Sequence, residues 1–189
     1  DQGHREIIVQ PLTLYDAGHS LNDIPAILAE FSQKYPDIDL RYGSSLGLSR
    51  KVREAAIAAI KSILPENTDP EDCKLLVVGR GSDDRAVTDQ TITLCQKLHT
   101  HFGFGDSSYC YSFETTPLLP QALKQAAHSH YSHIIILPYL LFSGKLLSDI
   151  NQEIDNIAPK YPEFTFLKAP PLGQKQEMTK ALIQKIQEL

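Results

Sequence analysis

HREIIVQPLTLYDAGHSLNDIPAILAEFSQKYPDIDLRYGSSLG, residues 4–47, decides the fold when it is laid against SHIIILPYLLFSGKLLSDINQEIDNIAPKYPEFTFLKAPPLG, residues 132–173. Pro11 matches Pro138 at an offset of 127. Asp23-Ile24 matches Asp149-Ile150, Lys34-Tyr35-Pro36 matches Lys160-Tyr161-Pro162, and Leu46-Gly47 matches Leu172-Gly173, all at an offset of 126. One residue is therefore gained or lost near the loop that carries His19. Ordered matches that include the turn residues predict an internal duplication of a β-loop-α-β-loop-α unit.

The duplication carries a further expectation. Residues 73 to about 130 form the first half of the second copy, and their counterparts in the first copy would precede residue 1. The chain has no initiator methionine, and it opens as DQGHREIIVQP, which reads as a helix end, a Gly3 cap and a strand. An N-terminal part is thus expected to be missing from this sequence. The expected organisation is the second half of a first lobe over 1–66, a linker over 67–72 and a second lobe over 73–189. The linker rests on LPENTDPED, residues 64–72, which is polar, carries two prolines and has no periodicity.

Short β-branched or aromatic runs predict strands over 6–14, 38–43, 74–79, 108–113, 133–141 and 163–168. Amphipathic stretches between them predict helices over 22–34, 48–63, 85–102, 117–129, 146–157 and 174–188. Continuous apolar runs such as LLVVG and HIIILPYLLF suit strands covered on both faces. The predicted class is α/β with parallel sheets.

With 189 residues and 42% hydrophobic content, the chain holds enough apolar material for a real core. A net charge of −5 with both signs interspersed argues against a nucleic-acid partner, whose phosphates require a basic face. No apolar run approaches the roughly 20 residues of a membrane span, and the polar start has no signal-peptide pattern. Three cysteines without CxxC spacing read as reduced, buried thiols of a cytoplasmic protein. A homo-oligomer is neither required nor excluded.

His19 is the first chemical candidate. It should lie just past the carboxyl end of a parallel strand, the edge where open α/β sheets bind ligands. A neutral imidazole there can ligate a divalent metal or accept a proton. Gly18 beside it would permit close backbone approach or positive φ. Ser20 to Asp23 supply cap residues for the following helix, so a surface histidine that only starts a helix also fits the local pattern. The second copy places Lys145 at the His19 position, which makes the imidazole peculiar to the first copy.

LLVVGRGSDD, residues 75–84, is the second candidate. Arg80 and Ser82 sit in a strand-to-helix turn that suits a carboxylate or phosphate, although the spacing is neither a Walker loop nor GxGxxG. Glu114, at the end of another strand, could approach the same edge. It could equally cap a helix starting near Pro117, together with Thr115 and Thr116. HSHYSH, residues 128–133, reads as a helix end and turn rather than a metal cluster, as do His99 and His101 before Gly103.

These motifs together resemble the sirohydrochlorin chelatase family, in its long two-copy cobaltochelatase or ferrochelatase form. The resemblance is carried by Pro11 to His19, Asn22-Asp23-Ile24-Pro25, Arg41-Tyr42-Gly43 and Leu46-Gly47. In the second copy it is carried by Val78 to Ser82, Leu137 to Gly144 and Pro171-Leu172-Gly173. It implies two Rossmann-like lobes of the type II chelatase kind, the first incomplete, facing a cleft. It implies insertion of a divalent metal, Co²⁺ or Fe²⁺, as substrate into a tetrapyrrole, without nucleotide. His19 matches one of the family's two site histidines. The other belongs to a Gly-His-Gly-Ser turn, and the only Gly-x-Gly-Ser turn present carries Arg80 instead. Arg80, Ser82 and Lys145 are then expected to meet substrate carboxylates, with Glu114 as an accessory carboxylate. Two other functions fit the residues: a non-catalytic tetrapyrrole or metal binder, and a flavodoxin-like module binding FMN or phosphate at the GRGS turn.

Overall fold

The computed structural model describes residues 3–189, apart from the His19 side chain. The helix end expected at residues 1 and 2 lies outside the described residues; Gly3 has the positive φ of +72° that a helix-capping glycine takes. All six expected strands and all six expected helices form. The strands are β1 (Glu6–Val9), β2 (Asp39–Tyr42), β3 (Cys73–Gly79), β4 (Asp106–Tyr111), β5 (His133–Pro138) and β6 (Thr165–Lys168). The helices are α1 (Ile24–Lys34), α2 (Arg50–Lys61), α3 (Arg85–Phe102), α4 (Leu119–Ala126), α5 (Lys145–Ile157) and α6 (Gln176–Gln187).

β1 and β5 stop earlier than the expected 14 and 141. Each strand ends at or just before a proline, Pro11 or Pro138, which cannot donate to a ladder. A single π-turn, His19–Asp23, precedes α1 in place of its expected first turn. Asp23 makes no side-chain cap bond, and the Ser20 hydroxyl instead bonds the Ala17 backbone.

All strand pairs are parallel. β1 pairs with β2, and the second sheet has the order β4-β3-β5-β6. Alternate residues of β3 and β5 face opposite sides. Leu75, Val77, Ile135 and Leu137 join one core with residues of α2, α3 and α6. Leu76, Val78, Ile134 and Ile136 join the other with residues of α4 and α5. This two-sided burial is why both strands are apolar throughout. On α5, Ile150, Ile154 and Ile157 form an i, i+4, i+7 stripe, all buried. Each such side chain contributes about 1.5–3 kcal/mol by leaving water.

The duplication is visible atom by atom. β1 pairs Glu6 with Asp39, and β5 pairs His133 with Thr165, the same register at the two offsets. The Gly43 amide donates to Val9 O at 2.9 Å, and the Ala169 amide to Ile136 O at 2.8 Å. The Leu46 amide donates to Thr13 O at 2.9 Å, and the Leu172 amide to Leu140 O at 2.8 Å. Tyr35 and Tyr161 end their helices with nearly equal dihedrals, φ −131°, ψ 70° and φ −135°, ψ 66°.

The last helix of each copy reaches across. α2 follows β2, yet Val52, Ala55, Ala56, Ala59 and Ile60 are buried against the four-stranded sheet. α6 packs along α2 and returns to the first sheet, where the Leu189 carbonyl accepts from Arg41 and Lys185 meets the Ser44 hydroxyl. In contrast, no residue of α1 is buried; Ile24, Leu28 and Phe31, the counterparts of the α5 stripe, are only half-buried.

Candidate active site

The chain runs from β3 out to β4, then returns to β5 on the other side of β3. Strand order therefore reverses between β3 and β5. In open α/β sheets ligands bind at that reversal, beyond the carboxyl ends of the strands. A cleft of about 750 Å³ lies there. One side is the loop after β1, with Leu12, Tyr15, Gly18 and Ser20. The floor and other side are the β3 turn, Gly79 to Asp84, with Tyr111 and Glu114. The segment from Tyr139 to Leu147 completes it.

The first loop is held by the polar groups that follow β2. The Ser45 amide donates to the Asp16 carboxylate at 2.9 Å, and the Tyr42 hydroxyl donates to Ser20 O at 2.8 Å. Burial first, and then the Asp16 charge, pushes the Tyr42 hydroxyl pKa up, so it remains a donor. Gly18 differs from the sequence expectation: its φ is not positive, and an added Cβ would meet nothing within 4 Å. His19 follows as the first residue of the π-turn, between Gly18 and Ser20, which line the cleft; its side chain lies outside the described residues.

The floor is aromatic. Tyr15 and Tyr139 meet edge to face, with ring centroids 5.3 Å apart. The Tyr15 hydroxyl bonds Thr91 Oγ1 at 2.8 Å, and the Tyr111 hydroxyl donates to Thr88 Oγ1 at 3.2 Å. Burial raises the pKa of both Tyr15 and Tyr139, so these phenols stay neutral and act as wall rather than base. The buried Tyr139 hydroxyl has no hydrogen-bond partner among the described residues.

The β3 turn is clamped to the segment after β4. The Ser112 amide donates to Gly79 O and the Phe113 amide to Arg80 O, each at 3.0 Å. The Ser82 amide donates to Thr115 Oγ1 at 3.0 Å, and that hydroxyl donates back to Ser82 O at 2.9 Å. The Asp84 amide donates to the Ser82 hydroxyl, and the Asp84 carboxylate accepts from Ala86 N–H to start α3. Ser82 is thus used to build the turn. With the Ser82 and Asp84 amides engaged and the Asp83 and Asp84 carboxylates following, the turn is a poor cradle for phosphate, which weighs against the flavodoxin-like reading.

Arg80 is exposed, forms no ion pair among the described residues, and lines both the cleft and an adjoining groove of about 520 Å³. Lys145 lines only that groove. It is the first residue of α5 and bonds the Asp149 carboxylate at 2.9 and 3.0 Å, with 88% of its side chain exposed. Such an exposed i, i+4 pair is weak and is displaced by a stronger anion at small cost. Glu114 lines the cleft. It does not cap α4, whose N-cap is Leu118 with no side-chain cap bond. Sequence reading missed the aromatic floor, although the tyrosines at strand ends were visible.

The histidines of residues 128–133 disperse. His128 meets Tyr161 edge to face, His130 lies against Tyr131, and His133 is 3.9 Å from Asp72. No group of three metal-ligating residues occurs among the described residues. Cys73, Cys95 and Cys110 are free and buried. No helix among the described residues is long and apolar enough to cross a membrane.

Parallel sheets and a cleft at a strand-order reversal define an open α/β fold, and its likeness to solved chelatases makes it one of the type II chelatase kind. The CbiX family model matches residues 1–63 and 74–189, and the chain belongs to that family. The sirohydrochlorin ferrochelatase of Priestia megaterium is 32% identical over 165 residues, covering 87% of this chain and 61% of that protein. The sirohydrochlorin cobaltochelatase of the same organism is 26% identical over 192 residues, covering 99% and 61%. This chain thus spans about three-fifths of the length of these curated relatives. The structure of SirB from Bacillus subtilis with Fe³⁺ superposes with a TM-score of 0.86 at 24% identity, over 99% of this chain and 72% of that one.

Proposed function

We propose that the protein inserts a divalent metal, Co²⁺ or Fe²⁺, into sirohydrochlorin, as a cytoplasmic enzyme that uses no nucleotide. The observation that carries this reading is the cleft at the strand-order reversal, with the His19 loop on one side and Arg80 and Glu114 on the other. Its chemistry suits a flat, polycarboxylated macrocycle. Leu12 and Phe142, both exposed on the cleft, offer apolar surface above a floor built on the buried rings of Tyr111 and Tyr139. Arg80 offers a fork for a carboxylate, and Lys145 extends the positive charge into the adjoining groove. Ser82 contributes by fixing the turn that carries Arg80. The organisation proposed is a first lobe over 1–66 and a second over 73–189, joined by 67–72.

In this mechanism His19 ligates the incoming metal and accepts a pyrrole proton as the ring nitrogens close on the ion. The neutral macrocycle releases two N–H protons for each divalent ion that enters, so charge balances without a redox step. The test is absorbance of sirohydrochlorin mixed with Co²⁺ or Fe²⁺, with and without the protein. An insertion rate well above the spontaneous one is expected. Binding without acceleration would instead favour a tetrapyrrole carrier, and flavin uptake by the purified protein would favour an anion-binding module.

A further inference from the structure

We propose that Phe142 and Leu12 grip the plane of the macrocycle, which stacks on the Phe142 ring and is flanked by Leu12 from the first lobe. This assignment rests on the chelatase reading above. Both side chains line the cleft, and both are large, apolar and exposed, Phe142 by 62% and Leu12 by 50%. One exposed apolar side chain standing alone needs no explanation. These two come from different copies of the repeat and meet at one cleft.

The duplication shows that the fold does not require their exposure. At the offset of 127, Leu12 corresponds to Tyr139 and Tyr15 corresponds to Phe142. The correspondence holds in space, since the Leu46 amide on Thr13 O and the Leu172 amide on Leu140 O are the same bond in the two copies. At the first position the second copy turns inward: Tyr139 is 1% exposed and belongs to the core. At the second position the first copy turns inward: Tyr15 packs on that core, meets Tyr139 edge to face and bonds Thr91. Each position therefore has a buried solution, and it is used in the other copy. Each copy leaves a different apolar side chain out, and both lie at the cleft. A side chain left in water forgoes the burial that stabilises a fold, and a ligand that covers it recovers that burial.

The segment that carries Phe142 is also held. The Leu140 carbonyl accepts from the Leu172 amide at 2.8 Å, and the Leu141 carbonyl from the Gly173 amide at 2.7 Å. Gly173 permits this approach: an added Cβ would collide with Leu141 O and stand 3.2 Å from Phe142 Cδ1. At Gly47, the counterpart of Gly173, an added Cβ would meet only the Ser45 hydroxyl within 4 Å, at 3.9 Å. The Phe142 ring is thus offered from a fixed backbone, the preorganisation that a stacking surface needs.

Neither side chain carries charge or a hydrogen-bonding group. They suit the face of a conjugated ring and not its carboxylates. Such contacts hold the plane equally before and during metal entry, so they set affinity and KM rather than the rate of the chemical step.

The experiment compares Phe142→Ala, Phe142→Leu, Phe142→Tyr and Leu12→Ala with the unaltered protein. Ile27→Ala is the control, because Ile27 is 64% exposed on α1 and does not line the cleft. Each protein is titrated with metal-free sirohydrochlorin, followed by its absorbance, and then assayed for cobalt insertion. Phe142→Ala should weaken binding about tenfold, the loss of one aromatic stack, and raise KM equally with kcat within about threefold. Phe142→Tyr should bind like the unaltered protein, and Phe142→Leu should fall between. Leu12→Ala should also bind more weakly, while Ile27→Ala should not change. Binding by Phe142→Ala within about twofold of an active unaltered protein overturns the grip alone. A loss that Phe142→Tyr or Ile27→Ala shares in full overturns it too. An unaltered protein that neither binds nor metallates sirohydrochlorin overturns the chelatase reading and the grip together.

Discussion

At Gly81, a Cβ would stand 1.9 Å from the Phe113 carbonyl oxygen, and φ is +113°. Both facts forbid a side chain, and neither can relax without breaking the contact between the β3 turn and the segment after β4. Gly81→Ala should therefore lower unfolding free energy by about 3 kcal/mol, as read by urea denaturation. It should also displace Arg80 and Glu114 and so slow the metal insertion proposed for the cleft. The sequence made part of this legible, since GRGS after an apolar run already read as a tight strand-to-helix turn. The strain at Glu114, whose φ is +59°, was not legible, because a left-handed glutamate is imposed by contacts from residues 81, 82 and 113, not by its neighbours' identities. Gly18 erred in the opposite direction. A glycine before His19 suggested a special φ, yet the position is open and has an ordinary φ.

Among the elements, β3 and β4 are joined by a charged pair as well as by their ladder. Lys74 is in register with Asp106, and its ammonium bonds the Asp106 carboxylate. Burial alone would raise the Asp106 pKa, but the Lys74 bond and the Ser107 amide outweigh it and hold the carboxyl below its usual value. A folded pKa depressed below the unfolded value of about 3.9 contributes stability above that pH. The contribution is lost as pH falls through the folded pKa. Asp106→Asn should thus lower the melting temperature at pH 7, with the difference shrinking toward zero below about pH 3. Melts from pH 2.5 to 7 check this, and a difference independent of pH would contradict it. Element types were legible because LLVV and HIII are apolar on both faces and the α5 isoleucines recur at helical spacing. Boundaries were less so. The run from Pro11 to Leu14 is as apolar as a strand, but β1 has only the four residues of β2 to pair with.

In the molecule as a whole, the duplication read from Pro11, Tyr35 and Leu46 extends to matching registers and hydrogen bonds, so architecture was the most legible level. The exchange of last helices was not. The apolar face of α2 shows that it is buried but not against which sheet, and β1–β2 is too small to cover it. That exchange has a consequence. A protease site inserted between Glu66 and Asn67, in an exposed turn, should yield fragments that separate on a denaturing gel yet co-elute from a sizing column. The buried face of α2 would hold them together; separate elution would contradict the exchange. The central claim is that metal enters the macrocycle at the cleft beside His19. Its most direct test is the rate of cobalt insertion into sirohydrochlorin by His19→Ala, with macrocycle affinity measured on the same protein. The account predicts a fall of about 100-fold or more with affinity retained. Insertion by His19→Ala at the unaltered rate would contradict it.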